Sequence, residues 1–485
     1  MKFRENKIGN SIKWSFAGEA LAKLMVPISN MILARILIPE DFGILAAINM
    51  IITFVDLFTD SGFSKYIIQN DFESDKEYLD CLNVAFITNL VLSILFWIAI
   101  FVFKDGIAQI VGCPGYGNVI AIASIQLIIT AFSSIQSAVF KRAFDFRTVF
   151  VSKIVMVIVP LVITVPLAIV LKNYWSLIIG STCAYLFSAI VLTIKSEWKP
   201  RFFYSFHLLK KMFSFSAWSL AEALSYWTLS WFDVFIIGSS FTAYYLGLYK
   251  NSINMVNSVM ALVKATIIPV LFSALARMKD DKSIFENVYY SLQRLAACLL
   301  IPMGVGLFIF RNLVTAIIFG AKWMSASNIV GAWALASCFL IVFTSFNAEA
   351  YKAKGIPKVL FISDIISLLI IIPVCVYYKQ FGFWYLVYAR SLSVIVQIVV
   401  GMIFMRRFMR FSLLEMISNN IPPLISTLVM GALGMVLQRM APNYWGEIAA
   451  VLVCIIVYFA VLWILFKKKI ITDISVLQTN QSIDE

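Results

Sequence analysis

Histidine and charge are scarce in this 485-residue sequence. There is one histidine, His207, and charged residues make up 13% of the chain, about half the quarter usual in soluble domains. A single histidine excludes His-rich metal sites and leaves any Ser-His or Cys-His catalytic pair dependent on that residue. It lies between Arg201 and the pair Lys210, Lys211, a setting that reads as solvated loop. So few charges exclude nucleic-acid binding, a large cytosolic enzyme domain and intrinsic disorder. The seven cysteines (Cys81, Cys113, Cys183, Cys298, Cys338, Cys375, Cys454) are scattered and form no C-x-x-C, so neither a disulfide framework nor a zinc site is indicated. No Gly-x4-Gly-Lys-Ser/Thr loop occurs, which leaves the chain without an ATPase engine of its own. What is plentiful is apolar side chain, at 61% hydrophobic. Membrane-spanning helices take about 20 residues each, so about fourteen of them would consume nearly all of it. The chain reads as an all-α polytopic membrane protein.

Apolar runs bounded by charged or Gly/Pro-containing segments predict spans at 14–37, 42–63, 81–103, 117–140, 149–171, 174–194, 213–238, 245–272, 288–310, 326–350, 358–378, 382–405, 420–440 and 446–466. Between 313 and 350 the stretch FGAKWMSASN reads as a loop between two helices, and Gly112 to Gly117 reads as a turn. The basic N-terminus runs into Glu19 and Lys23 with no short apolar core or cleavage site, so it reads as a tail entering the first span and not as a signal peptide. With that tail placed inside, inside loops hold 27 basic residues and outside loops seven, which predicts both termini in the cytoplasm and explains most of the net charge of +13.

Two internal matches suggest a repeat. At an offset of 204, Trp14, Ser15 and Ala17 fall on Trp218, Ser219 and Ala221, and Phe42-Gly43 falls on Leu246-Gly247. At an offset of 211, residues 140–152 match 351–363, with Lys141, Phe150 and Ser152 on Lys352, Phe361 and Ser363. The parse is two six-helix lobes, 1–199 and 200–410, followed by two further helices and a tail, 411–485. Six is even, so the repeat is parallel, a plan typical of alternating-access transporters.

A charged side chain near the bilayer centre costs about 2.5–3.5 kcal/mol on insertion scales, so such residues usually face a cavity or a partner. The spans contain Glu19, Lys23, Asp56, Asp60, Glu222, Asp233, Lys250, Lys264, Arg294, Glu349, Asp364 and Arg390. Those near span ends, such as Asp60, Arg294 and Glu349, can snorkel to the interface. Glu19 and Lys23, four apart on one helix face, can form a local ion pair. Glu222 falls one position from the repeat equivalent of Glu19. Carboxylates so placed, together with Asp56, Asp233 and Asp364, are candidates for a coupling H+ or Na+, because a buried carboxylate can exchange protons near neutrality; their alternative is a helix-to-helix hydrogen bond. The cations Lys23, Lys250, Lys264 and Arg390, with Arg35 and Arg294, come from both lobes and suit an anionic substrate such as a diphosphate. No metal site or cofactor is expected. The aromatic group Trp218, Tyr226, Trp227 and Trp231 forms no single stripe and suits the bilayer interface or stacking on sugar rings.

The strings ARILIPEDFG (34–43), DSGFSKYIIQ (60–69), KRAFDFR (141–147) and YKAKGIPK (351–358) resemble the polysaccharide-transport branch of the MOP superfamily, the Wzx-type flippases, and within it the WzxC and teichuronic-acid-export subgroup. The resemblance runs over essentially the full chain. It implies a MATE-like fold and export of a polyprenyl-diphosphate-linked oligosaccharide to the outer leaflet of the bacterial plasma membrane. The lipid tail would stay in the bilayer, with the thirteenth and fourteenth helices supplying its groove, while the diphosphate and sugars cross through a polar cavity between the halves. The implied partners are the polymerase and glycosyltransferases of the same pathway. Two rivals differ in their residues. A MATE-type antiporter of cationic drugs would favour carboxylates over mid-span Lys and Arg. A membrane-embedded polymerase or transferase would carry a large extramembrane loop, and no loop here exceeds about 20 residues. The acidic run Asp71, Glu73, Asp75, Glu77, Asp80 surrounds Lys76 and reads as solvated loop.

Overall fold

The computed structural model describes the backbone of residues 2–59, 62–278, 280–440 and 443–479, and side chains within them except at 2–13, 15–16, 20, 214–219 and 468–479. Asp60 lies outside the described residues. Among the described residues all regular structure is helical, and thirteen helices are long and apolar enough to cross a membrane. The expected span at 213–238 falls within a further helix, Phe206–Ser240. The break expected within 313–350 is present: Arg311–Ile318 ends before Gly320 at φ 87°, and the chain then resumes through a 3-10 turn into Ser327–Leu340. These helices form two compact units, Met1–Lys250 and Asn251–Glu485, divided within the helix Ala243–Arg277.

In the first unit, small residues set the closest approaches. Pro39–Thr59 and Ala243–Arg277 cross where Gly43 meets Gly247: a Cβ added at Gly247 would lie 2.7 Å from the Gly43 nitrogen and overlap the Pro39 carbonyl. These two glycines are the repeat-equivalent pair of the 204-residue offset. Backbone-to-backbone contact of this kind is how helices gain dispersion energy in a medium where lipid competes for every apolar side chain.

The segment that joins Pro39–Thr59 to Asp75–Val102 carries a seven-residue helix, Phe63–Gln69, and its carbonyls converge on one cation. The Arg142 guanidinium donates to the oxygens of Ile67 at 2.8 Å and Asn70 at 2.7 Å, and its charge lies 4.8 Å from the Phe72 ring and 5.2 Å from the Tyr78 ring. A cation at a helix C-terminus complements the unsatisfied carbonyls there. The acidic run that follows starts the next helix: Ser74 caps it by accepting from the Glu77 amide, and Glu77 accepts from the Lys211 ammonium at 2.8 Å and from the Glu73 amide.

Val111 to Tyr116 form the expected turn, with Gly112 and Gly115 at φ 77° and 87°. Any side chain at Gly112 would overlap the Gly238 carbonyl. Cys113 is folded beneath this turn, 1% exposed, and burial pushes its thiol up to about 12. Only the thiolate is nucleophilic, so iodoacetamide at pH 8 is expected to leave Cys113 unmodified in the native protein and to modify it after denaturation. Peptide mapping reads this directly, and rapid native labelling would contradict the buried placement.

The second unit is built around Lys282–Ile309, which packs against Ser327–Leu340 on one side and against Ile421–Met440 and Tyr444–Thr479 on another. The apolar cluster at the latter junction includes Ile309, Phe310, Met430, Cys454 and Tyr458. Tyr458 is inside the cluster because its hydroxyl donates to the Cys298 carbonyl at 2.7 Å, which satisfies the only polar atom of the ring.

Candidate functional site

The sequence-selected charges divide by unit. In the first, Glu19 pairs with Lys153 of Phe146–Val159, and Lys23, the partner expected from spacing, attracts it more weakly. The physical reason is the neighbouring Gly18: without a side chain it lets Phe150 approach to 3.1 Å of where a Cβ would stand, and that contact sets Lys153 beside Glu19. Lys23 is half-buried one turn further on, Arg35 is exposed in the last turn of the helix, and Asp56 and Glu222 are half-buried on Pro39–Thr59 and Phe206–Ser240.

Asp233 and Lys250 are brought together by the hairpin of Phe206–Ser240 and Ala243–Arg277. Asp233, 5% exposed, accepts from the Tyr249 hydroxyl at 2.7 Å. The next residue, Lys250, sets its ammonium 3.8 Å from the Trp231 ring centroid. A cation on an indole face gains about 0.5–2 kcal/mol, more when desolvated. One turn before Trp231, the Trp227 indole donates to Thr53 at 3.1 Å and its ring packs on Phe54. Asp233 therefore has a helix-to-helix hydrogen bond, and the tryptophans of this helix serve as a platform and a donor inside the unit.

In the second unit Arg390 is 4% exposed and lies 5.0 Å from the Trp333 ring centroid. The Trp333 indole in turn donates to the Asn257 side-chain oxygen at 3.0 Å. Asn257 stands seven residues after Lys250 and seven before Lys264, and multiples of seven return to the same face of a helix. That face of Ala243–Arg277 is thus a ladder of polar side chains, with Lys264 half-buried at its end. Val259 and Ile267 border two adjoining cavities of about 360 and 500 Å³ that share Cys298, Leu299 and Phe459 and run between Lys282–Ile309 and Tyr444–Thr479. Their walls are almost wholly hydrocarbon.

Arg294 has a different setting. It is 6% exposed, donates through Nε to the Asn419 carbonyl at 2.9 Å and bonds the Asn419 side chain as well, so it sits at the C-terminal end of Leu413–Ser418. Asp364 is half-buried on Lys358–Tyr378, and Glu349 pairs with Lys352 at 3.0 Å near the end of its helix. Asn257 and Trp333 were not among the sequence candidates. Asn257 was legible as the midpoint between two intramembrane lysines; Trp333 had no local signal, because its role depends on contacts 76 and 57 residues away in sequence.

A buried guanidinium beside an indole ring can hold anionic oxygens, and hydrocarbon-walled cavities bordered by the same helix can hold an alkyl chain.

Comparison with known proteins agrees with this architecture. A family model described as polysaccharide biosynthesis protein matches residues 32–328, more than half of the chain. The lipopolysaccharide biosynthesis protein WzxC of Escherichia coli (strain K12) is 23% identical over 331 residues, a match that covers 67% of this chain and 65% of that protein, just under two thirds of its length. Among solved structures, the lipid II flippase MurJ in an inward closed conformation superposes with a TM-score of 0.75 at 16% identity, over 95% of this chain and all of that one. A multidrug resistance MATE family transporter of the MOP superfamily, inward-facing, gives 0.59 at 14% identity, over 80% of this chain and 94% of that one. The fold is that of these two solved structures, and the chain belongs to the polysaccharide biosynthesis protein family.

Proposed function

We propose that the protein is a flippase that carries a polyprenyl-diphosphate-linked oligosaccharide across the bacterial plasma membrane by alternating access, for assembly of a surface polysaccharide. The observation that carries this reading is the setting of Arg390 in the second unit: buried within an apolar span, its guanidinium lies over Trp333, which bonds Asn257 of Ala243–Arg277, the helix that also carries half-buried Lys264 and borders the hydrocarbon-walled cavities through Val259 and Ile267. A cargo with an anionic head and a long apolar tail needs both settings, whereas a cationic drug would be repelled by the first. In this reading Lys264 and Arg390 of the second unit contact the diphosphate, Lys23, Arg35 and Lys250 of the first unit are further candidates for contact with the cargo, and Arg294 acts by holding the C-terminal end of Leu413–Ser418. Coupling to H+ or Na+ is assigned to the intramembrane carboxylates Glu19, Asp56, Glu222, Asp233 and Asp364. Both termini lie in the cytoplasm, and the polymerase and glycosyltransferases of the pathway act on either side of the step. The division into lobes 1–199 and 200–410 rests on the two sequence offsets of 204 and 211 residues.

Mass spectrometry of lipids from cells lacking the protein tests the proposal. Accumulation of a polyprenyl diphosphate bearing a complete repeat unit is expected and would identify the cargo. Truncated glycans would instead indicate an enzyme, and an unchanged lipid profile with new drug sensitivity an antiporter.

A further inference from the structure

Three helical segments of the second unit turn polar side chains toward a common point. Lys282–Ile309 supplies Tyr289 and Gln293, one turn apart. A π-helical turn, Ile341–Ser345, followed by Phe346–Ala353, supplies Asn347 and Tyr351, again one turn apart. Val394–Phe404 supplies Gln397 and Gly401. The three are tied together: the Tyr289 hydroxyl donates to Asn347 Oδ1 at 2.6 Å, Gln293 Nε2 donates to the Val342 carbonyl at 3.0 Å, and a Cβ at Gly401 would lie 3.1 Å from Asn347 Nδ2. Tyr289 and Gln293 are wholly buried, Asn347 and Tyr351 are 1% exposed and Gln397 is 6% exposed. Yet Gln293 Oε1, Asn347 Nδ2, the Tyr351 hydroxyl and Gln397 Nε2 have no hydrogen-bond partner among the described residues.

Polar atoms buried this deeply are ordinarily satisfied, and a group of exceptions on the helices packed around one π turn marks a site for something small. We propose that this site holds ordered water molecules. The chemistry selects water over an ion. The Gln293 amide is oriented by its bond to Val342, so it offers an acceptor, while Asn347, whose oxygen is taken by Tyr289, offers a donor. Water, which donates and accepts, fits both, whereas a cation requires lone pairs alone and an anion donors alone. None of these side chains is a carboxylate, and Arg390 stands seven residues before Gln397 on the same span, a positive charge that opposes a bound cation. Gly401 leaves room beside the Asn347 amide. Bound water would give the π turn interchangeable hydrogen-bond partners, so that the span Ala321–Ala353 can change its bonding without exposing bare polar groups.

Hydroxyl-radical footprinting of the full chain in detergent, read by mass spectrometry, tests this, because radicals generated from an adjacent bound water label even a buried ring. Tyr249 and Tyr458 are internal controls, equally buried but bonded to Asp233 and to the Cys298 carbonyl. Tyr289 and Tyr351 are expected to be labelled at least about tenfold faster than these controls, approaching the exposed Tyr377. Rates as low as those of Tyr249 and Tyr458 would overturn the proposal. The pair Gln293→Met with Gln397→Met is expected to lower the Tyr351 rate to that of the controls; an unchanged rate would place the water elsewhere. Labelling that changes saturably when Na+ replaces N-methylglucamine would show a cation at the site and overturn the assignment to water.

Discussion

A Lys264→Gln, Arg390→Gln double variant is expected to lose at least about a hundredfold in polymer export while reaching the membrane in wild-type amount. Charge-assisted hydrogen bonds contribute about 1.5–3 kcal/mol each, so two lost contacts to a diphosphate amount to roughly 3–6 kcal/mol, and each 1.4 kcal/mol is tenfold. Arg390 is the more sensitive of the two, because its planar charge lies over Trp333 and a bond from Trp333 to Asn257 fixes that ring. Arg390→Lys keeps the charge but loses the planar fork, so its export should fall between wild type and Arg390→Gln. Export is read as surface polysaccharide per cell, with membrane abundance measured by immunoblot in parallel. Normal output from the double variant would remove both residues from the cargo path and leave the fold assignment untouched.

How far the sequence alone could reach is clear from the same residues. Helices and their approximate limits were legible, because twenty-residue apolar runs have few readings. Lys250, Lys264 and Arg390 were legible as costly intramembrane charges. What a charge touches was not. Glu19 has Lys23 four residues away, yet pairs with Lys153, because Gly18 allows a second helix to come close. Spacing along one helix reports only neighbours on that helix, and a glycine on the contact face redirects the pairing to another. Arg294, chosen for its charge within a span, is engaged by Asn419 from a turn 125 residues away. Cations that stack on indoles, cap a helix end or complete an ion pair look the same in a one-dimensional reading. The buried amides Gln293, Asn347 and Gln397 carry no charge and drew no attention, although their desolvation poses a similar problem.

The largest effect on folding is expected at the crossing of Pro39–Thr59 and Ala243–Arg277. A methyl at Gly43 would overlap the Ala243 carbonyl, and a methyl at Gly247 the Pro39 carbonyl. Neither obstacle is the end of a flexible side chain; both are backbone, so the helices themselves must separate. Overpacking of an adaptable core costs about 1–3 kcal/mol, and a rigid backbone contact exceeds that range. Gly43→Val or Gly247→Val is therefore expected to abolish folded, monodisperse protein. Gly106, with nothing within 4 Å of an added Cβ, is the matched control, and its Ala variant should melt within a few degrees of wild type. The two vulnerable glycines are also the residues paired by the 204-residue sequence offset. Combining Gly43→Ala with Gly247→Ala is expected to be no worse than the more damaging single change, because one separation of the two helices relieves both overlaps. Thermal unfolding of the two single variants and the double, compared as a cycle, gives the coupling; strictly additive losses would show that the two overlaps are relieved independently.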